Sequence, residues 1–237
     1  MNRISFIPIV AALMVAPAIQ AATIDFTNGP LTGSGFGNYI ELSDGTVTAR
    51  LTGWSASNLT SNFTASQVKL WPTGIGTCNS GENLNCPSGP HTVDNDGRKE
   101  VLLITFSEPV FVTEALITAW ASDYDASFWG GLGLPVMGGM DFGDLGTRYT
   151  SLFGPPHDAD SGDDWRFVEL TALSDPVEWL AFGPPPDFSN DSKVDKFKFK
   201  SVSFIVPEED TPEPGTLLLV GIGAALLAVR SRNRRQA

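Results

Sequence analysis

The sequence predicts an all-β protein whose main domain is an antiparallel β-sandwich of jelly-roll type. About eight to ten apolar stretches have the length of strands, and clusters of Gly, Pro, Asn and Asp separate them. No stretch of residues 22–211 shows the long amphipathic period of a helix. Strands that follow one another through turns, without helices between them, favour antiparallel sheets packed face to face.

The first strands form a predicted hairpin. Residues 39–42 and 46–52 flank the turn Ser43-Asp44-Gly45, and apolar side chains alternate with polar ones along the second strand. Residues 53–66 are rich in Ser, Asn and Thr, which is typical of a surface connection. We therefore expect two paired strands followed by a long loop.

The centre of the chain contains the most apolar strand. Residues 101–106 are a nearly continuous apolar run, which favours a strand that is buried on both faces. Residues 110–120 follow after Glu108 and Pro109 and are rich in Val, Ile, Thr and Phe, so they are predicted to form its partner strand. Residues 130–146 are rich in Gly and are expected to be an irregular loop.

Three further strands are predicted toward the end of the domain, at residues 165–171, 177–182 and 196–206. In the last of them Phe197 and Phe199 alternate with lysines. The apolar positions then change parity and continue at Val202, Phe204 and Val206. A β-bulge near Ser201 explains this change.

The two ends of the chain differ from the strand-rich middle. Residues 1–21 combine Arg3, an apolar stretch and a small residue at the cleavage position, which is typical of a Sec-type signal peptide rather than a transmembrane helix. We expect a β-sandwich domain over residues 22–206, an acidic linker over 207–211 and a separate C-terminal segment over 212–237.

The strand-rich part is strongly acidic. Residues 22–211 carry ten basic and 26 acidic side chains, a formal charge of −16. Such a surface repels nucleic acid and anionic lipid, keeps the protein soluble and attracts cations. A nucleic-acid partner is thereby excluded.

The C-terminal segment has three parts in a fixed order. Pro212, Glu213 and Pro214 come first, an apolar run over residues 217–229 follows, and the basic end carries Arg230, Arg232, Arg234 and Arg235. As a helix the run of 13 residues spans about 20 Å, against a hydrocarbon core about 30 Å thick, so it is short for a permanent anchor. We expect a transmembrane helix over about residues 215–230, with the arginines on the cytoplasmic side.

These three parts resemble the PEP-CTERM sorting signal. The resemblance implies recognition by exosortase, a membrane-embedded cysteine transpeptidase that cuts at or near the Pro-Glu-Pro tripeptide. It also implies a precursor in the inner membrane and a product at the cell surface or in the extracellular matrix of a Gram-negative bacterium. The alternative is an ordinary tail anchor, in which Pro212 and Pro214 only end the preceding structure.

Residues 74–129 are similar to a group of exosortase-dependent surface proteins that carry PEP-CTERM tails. The shared features are Gly-Ile-Gly-Thr-Cys, a second Cys, His-Thr-Val-Asp-Asn, an apolar strand that ends in Phe, and Asp-Tyr-Asp near Ser-Phe-Trp. This group implies no particular activity.

The only two cysteines, Cys78 and Cys86, lie in a loop rich in Gly, Asn, Ser and Pro. Export would place them in an oxidising compartment, which favours a disulfide between them. A bridge across so short a loop stabilises the fold by roughly 2–3 kcal/mol. Two cysteines cannot build a structural zinc site, and neither has a nearby histidine placed as a catalytic base.

The sequence contains no recognisable catalytic motif. The chain has two histidines, no HExxH, no Gly-x-Ser-x-Gly and no phosphate-binding loop. We therefore predict that the protein is not an enzyme. The remaining catalytic alternative is a secreted hydrolase with paired carboxylates.

Two binding hypotheses concern loop acids and tryptophans. Asp94, Asp96, Asp123 and Asp125 supply oxygens of the kind that Ca²⁺ takes in extracellular modules, and the alternative is that they are solvated acids in turns. The tryptophans either include an exposed platform that stacks on sugar or fill the core. They are Trp54, Trp71, Trp120, Trp129, Trp165 and Trp179.

Taken together, these features predict an exported, exosortase-processed protein with a structural or adhesive role in the cell envelope or matrix, linked to exopolysaccharide or biofilm. Calcium is the only cofactor considered. The alternative function is a carbohydrate-binding module of the same fold.

Overall fold

The computed structural model describes residues 21–82, 91–119, 125–147, 149–151, 165–170, 172–186, 194–207 and 222–223. The chain divides into two compact units, one of residues 20–207 and one that joins residues 1–19 with 208–237. In the second unit only Ile222 and Gly223 are described, and both are helical. No helix within the described ranges has the length and apolar character needed to cross a bilayer.

The first unit consists of β-strands, with three short 3₁₀ helices among its described residues. Every strand pair is antiparallel, which confirms the predicted all-β antiparallel class. The strands are β1 (Ala21–Asp25), β2 (Leu31–Thr32), β3 (Tyr39–Ser43), β4 (Thr48–Ala56), β5 (Thr64–Trp71), β6 (Gly74–Cys78), β7 (Val93–Asp94), β8 (Lys99–Ala119), β9 (Ala126–Gly131), β10 (Tyr149–Ser151), β11 (Trp165–Glu169), β12 (Val177–Gly183) and β13 (Lys196–Ile205).

Five strands form a closed, barrel-like ring instead of the two separate layers of a jelly roll. Around the ring, β8 pairs with β13, β13 with β6, β6 with β5, β5 with β4, and β4 with β8. Closure is possible because β5 and β8 each pair with different strands along their length. The first residues of β5 pair with β4 and the rest pair with β6.

Strand β8 replaces two predicted strands. Residues 101–106 and 110–120 were expected to pair with each other, but β8 is one strand of 21 residues. Residues 99–106 pair with β4, and residues 111–119 pair with β13. The change of partner occurs around Pro109, which has no N–H to donate to a ladder.

The hairpin and the bulge are confirmed. Strands β3 and β4 pair as expected around the turn at Asp44. The register of β13 shifts between Phe199 and Ser201, at the predicted position. The predicted connection over residues 53–66 was too long, because its first residues continue β4 and its last ones begin β5. The sequence predicts a loop at these strand ends because their residues are as polar as those of a surface connection.

Two hydrophobic cores result from this arrangement. The main core lies inside the ring, and each ring strand contributes to it; examples are Leu51, Val68, Ile75, Ile104 and Phe199. The second core lies on the other face of the first half of β8, beside β9 and β12. The segment that contains Met137, Phe142 and Leu145 covers it, so the predicted irregular loop packs against the sheet.

Two glycines allow close backbone contact between strands. A Cβ on Gly76 would overlap the carbonyl oxygen of His91, and a Cβ on Gly183 would overlap the carbonyl oxygen of Glu100. In both cases the obstacle is backbone, which cannot move aside as a flexible side chain could. The pairing of these segments therefore requires glycine.

We expect Gly76→Ala to destabilise the exported domain by about 1–3 kcal/mol, because the added methyl group forces the backbone apart. Chemical denaturation measures the change. Gly138→Ala is the matched control, since no atom lies within 4 Å of the added Cβ and the φ angle is ordinary. Equal stability of the two variants would show that β6 can shift without cost.

Candidate functional site

A group of ionisable and polar side chains lies where β6, β7 and β8 meet. We call it the Glu100 cluster; it consists of Asn79, Glu82, His91, Asp94 and Glu100. Glu100 is the second residue of β8, and strand alternation directs it to the same side as Leu102 of the main core. The cluster thus lies beside the main core.

Glu100 is almost fully buried, with 1% of its surface exposed. Its carboxyl group accepts hydrogen bonds from Asn79 Nδ2 at 2.9 Å and from the backbone N–H of Asp94 at 3.2 Å. Burial and the neighbouring Asp94 charge raise the pKa of Glu100 well above its usual range, although hydrogen bonds from Thr77 and Asn79 oppose the shift. Glu100 therefore keeps its proton to a higher pH than an exposed glutamate does.

Asp94 is the partner acid. Thr92 Oγ1 donates to one of its oxygens at 3.0 Å, and the backbone N–H of Asp96 donates to the other at 3.0 Å. Burial raises the pKa of Asp94 to about 6, while the Lys196 charge and the Thr92 hydrogen bond act in the opposite direction. The two acids titrate as an interacting pair.

The outer part of the cluster brings together groups that are separate in sequence. Ligand atoms of Cys78, Glu82 and His91 lie within 4.8 Å of one another. His91 Nδ1 lies 3.7 Å from Glu82 Oε2, which also accepts from the backbone N–H of Asn79 at 3.1 Å. His91 thus lies near Cys78, which the sequence did not reveal; that neither cysteine has a histidine placed as a catalytic base stays a prediction. In the predicted disulfide the Cys78 sulfur would be neither the partner of a base nor a metal ligand.

Cys78 is buried at the end of β6, and no described cysteine is free. Cys86 lies outside the described residues, so the bridge between the two stays a prediction. Intact-mass measurement with and without a reductant tests it. We expect two alkylated thiols only after reduction, and alkylation of the native protein would contradict the bridge.

The residues proposed to bind Ca²⁺ have different environments. Asp94 belongs to the Glu100 cluster, whereas Asp96 is exposed and forms an ion pair with Lys196 at 3.2 Å. Asp125 is buried, and Asp123 lies outside the described residues. Calcium binding stays a prediction.

Asp195, which the sequence did not single out, connects the two acidic loops. Its carboxyl group accepts from Asn95 Nδ2 at 3.0 Å and from the backbone N–H of Asp125 at 2.9 Å. The backbone N–H of Asp195 in turn donates to Asn95 Oδ1 at 3.0 Å. The loops are therefore neighbours, held by a buried polar network.

The tryptophans divide between core and surface. Trp129 and Trp179 are buried in the second core, which confirms the core interpretation for these two. Trp54 and Trp71 are half-buried. The Lys198 ammonium lies 5.2 Å from the centre of the Trp71 ring, and burial lowers the pKa of Lys198 to about 8. Trp120 and the side chain of Trp165 lie outside the described part.

The geometry of the Glu100 cluster fits proton binding better than contact with a substrate. A general acid must reach the group that it protonates, and Glu100 is sealed beneath the strands. Its hydrogen bonds instead join β8 to Asn79 and to β7. The sequence did not reveal this role, because a charged residue before an apolar run resembles the boundary of a strand.

We expect the stability of the domain to fall as the pH rises through about 6. The folded-state pKa of Asp94 exceeds the ordinary aspartate value of 3.8, so the folded protein retains a proton that the unfolded chain releases. This contribution is complete below about pH 4 and is lost through about pH 6. Asp94→Asn removes the titration, so the fall in unfolding free energy between these values should shrink by about 2–3 kcal/mol.

Denaturation at several pH values measures this difference. Asp96→Asn is the matched control, since it makes the same charge change two residues away at an exposed position. It should keep the pH dependence of the wild type. Identical profiles for wild type and Asp94→Asn would contradict the raised pKa.

The residues of the proposed sorting signal lie outside the described part of the chain. They are Pro212, Glu213, Pro214, Arg230, Arg232, Arg234 and Arg235. Residues 210–235 match a family model described as the PEP-CTERM protein-sorting motif. No curated protein and no solved structure matches the chain. The protein therefore carries a PEP-CTERM protein-sorting motif, which follows directly on its acidic β-domain.

Proposed function

We propose that the chain is an exosortase-processed surface protein whose β-domain has a structural or adhesive role in the cell envelope or extracellular matrix. The match of residues 210–235 to the PEP-CTERM motif carries this proposal. The motif supports export, a membrane-anchored precursor and exosortase as the processing partner. A link to exopolysaccharide or biofilm is the finer part of the proposal and rests on the motif alone.

The order of segments supports the same pathway. A signal-like N-terminal stretch precedes the β-domain, and the acidic residues 208–210 lie between that domain and the Pro-Glu-Pro tripeptide. Proline restricts its own φ and disfavours a helical conformation in the residue before it, so we expect Pro212 and Pro214 to favour an extended conformation at Glu213. A transpeptidase can bind such a segment.

The β-domain supports a passive role after delivery. Its buried acids connect strands, and two of its tryptophans fill the second core instead of forming a sugar platform. We accordingly infer that the protein is not an enzyme. The formal charge of −16 on residues 22–211 favours solubility and cation binding in an extracellular setting.

We expect replacement of Pro212, Glu213 and Pro214 by alanine to leave the unprocessed precursor in the inner membrane. The triple change removes the extended recognition segment but keeps the apolar run and the basic end. Precursor size and cell fractionation in a host with exosortase measure the outcome.

The control is Arg230→Lys, which keeps the positive charge that orients the segment and should be processed as the wild type is. A triple-alanine protein that is shortened and exported normally would contradict the sorting mechanism. The C-terminal segment would then be a plain anchor.

A further inference from the structure

Three apolar side chains project from the loop that follows β9. Leu132 is 66% exposed, Leu134 is 65% exposed and Val136 is 78% exposed. Soluble proteins rarely display several large apolar side chains so close together unless the surface binds something. The three alternate with Gly133 and Pro135, so they form one short apolar stretch.

The loop is fixed to the domain at both ends. On one side Gly131 ends β9 and pairs with Trp179. On the other side Met137 is buried in the second core. In between, the Gly133 N–H donates to the Glu178 carboxylate at 2.6 Å. The apolar side chains are therefore held outward by an ordered backbone.

The surroundings of the loop differ in charge from the rest of the protein. Residues 126–140 contain no charged side chain, although the whole chain carries 27 acidic residues. The Glu178 carboxylate, which lies beside the loop, accepts a hydrogen bond from the Gly133 N–H. A neutral apolar surface on an acidic protein suits a partner that is bound by apolar contact and not by charge.

The strand registers place this loop near the exit of the chain toward the sorting motif. Gly131 pairs with Trp179, which pairs with Thr105 of β8. Farther along β8, Ile205 near the end of β13 pairs with Phe111. Both positions therefore lie beside the point where β8 changes partner, so loop and exit share one end of the fold.

The chain that leaves this end is short. Leu217, where the apolar run of the motif begins, lies ten positions after Pro207, and a fully extended chain over ten positions reaches roughly 35 Å. An anchored precursor therefore keeps this end of the domain close to the bilayer. At the opposite end of the fold, Ala56 at the end of β4 pairs with Lys99 at the start of β8. This end is separated from the exit by the length of β4.

We propose that Leu132, Leu134 and Val136 contact the lipid surface of the membrane that holds the precursor, and that the contact positions the domain for processing. This inference rests on the proposed membrane-anchored precursor. Apolar side chains that enter an interface sit about 5–10 Å deep, at the boundary of headgroups and acyl chains. The partner is a zwitterionic lipid surface, because the acidic domain is repelled by anionic lipid.

The test uses full-length precursor from a host without exosortase, placed in phosphatidylcholine nanodiscs. An environment-sensitive fluorophore is attached at Leu134→Cys, and acyl chains carrying a nitroxide act as quencher. We expect about twofold stronger quenching than at the control position, because the label lies at the acyl boundary. The unsubstituted chain gives the background from native cysteines.

Leu59→Cys is the matched control, since Leu59 is also exposed but lies in the connection after β4, at the opposite end of the fold. Equal and weak quenching at both positions would overturn the lipid contact and leave the anchored precursor intact. A precursor that does not enter the nanodiscs would overturn both. Protection of residue 134 from aqueous iodide without lipid quenching would assign the surface to a second protein copy and also overturn the inference.

Discussion

The partner change along β8 is the constraint on which the rest of the fold depends. One half of this strand pairs with β4 and β12, and the other half pairs with β13 and β11. The strand therefore has different partners in its two halves and closes the ring around the main core. Pro109, which cannot donate to a ladder, lies where the partners change. The loop after β9 and the last residues of β13 both lie beside the point where β8 changes partner.

The beginning of β8 contributes to a buried pair of acids that makes the stability of the domain depend on pH. Burial raises the pKa of both Glu100 and Asp94, and the Asp94 charge raises the pKa of Glu100 further. Two carboxyl groups in one buried network are costly when both are ionised, so a proton stabilises the junction of β6, β7 and β8. The hydrogen bonds from Asn79 and from the Asp94 backbone compensate in part, because they favour the ionised form. The buried acids whose hydrogen bonds hold β6, β7 and β8 together therefore also make the stability of this junction depend on pH.

Asp195 has a corresponding role between the two acidic loops. It accepts from Asn95 and from the Asp125 backbone, so residues about 100 and 70 positions away meet in one buried network. Such a network leaves few carboxylate oxygens without a donor. An ion bound there would have to compete with these hydrogen bonds. The hydrogen bonds of Asp195 therefore give the two acidic loops a structural role, with or without a bound cation.

The sequence by itself determined the features that depend on local pattern. These include the strands at residues 39–43 and 196–205, the bulge near Ser201 and the sorting motif at residues 210–235. Alternation, turn residues and a short ordered motif are local signals, readable without knowledge of the fold. Apart from the hairpin of β3 and β4, these signals do not identify which strands become partners.

Tertiary structure alone decided which distant residues meet. In the folded protein, residues 99–119 form one strand and His91 lies near Cys78. Glu100 is buried beside Asp94. Tertiary structure also left Leu132, Leu134 and Val136 outside both cores, although their composition resembles that of buried segments. Pairing and burial depend on how the sheet closes, and closure is a property of the whole chain that no local pattern encodes.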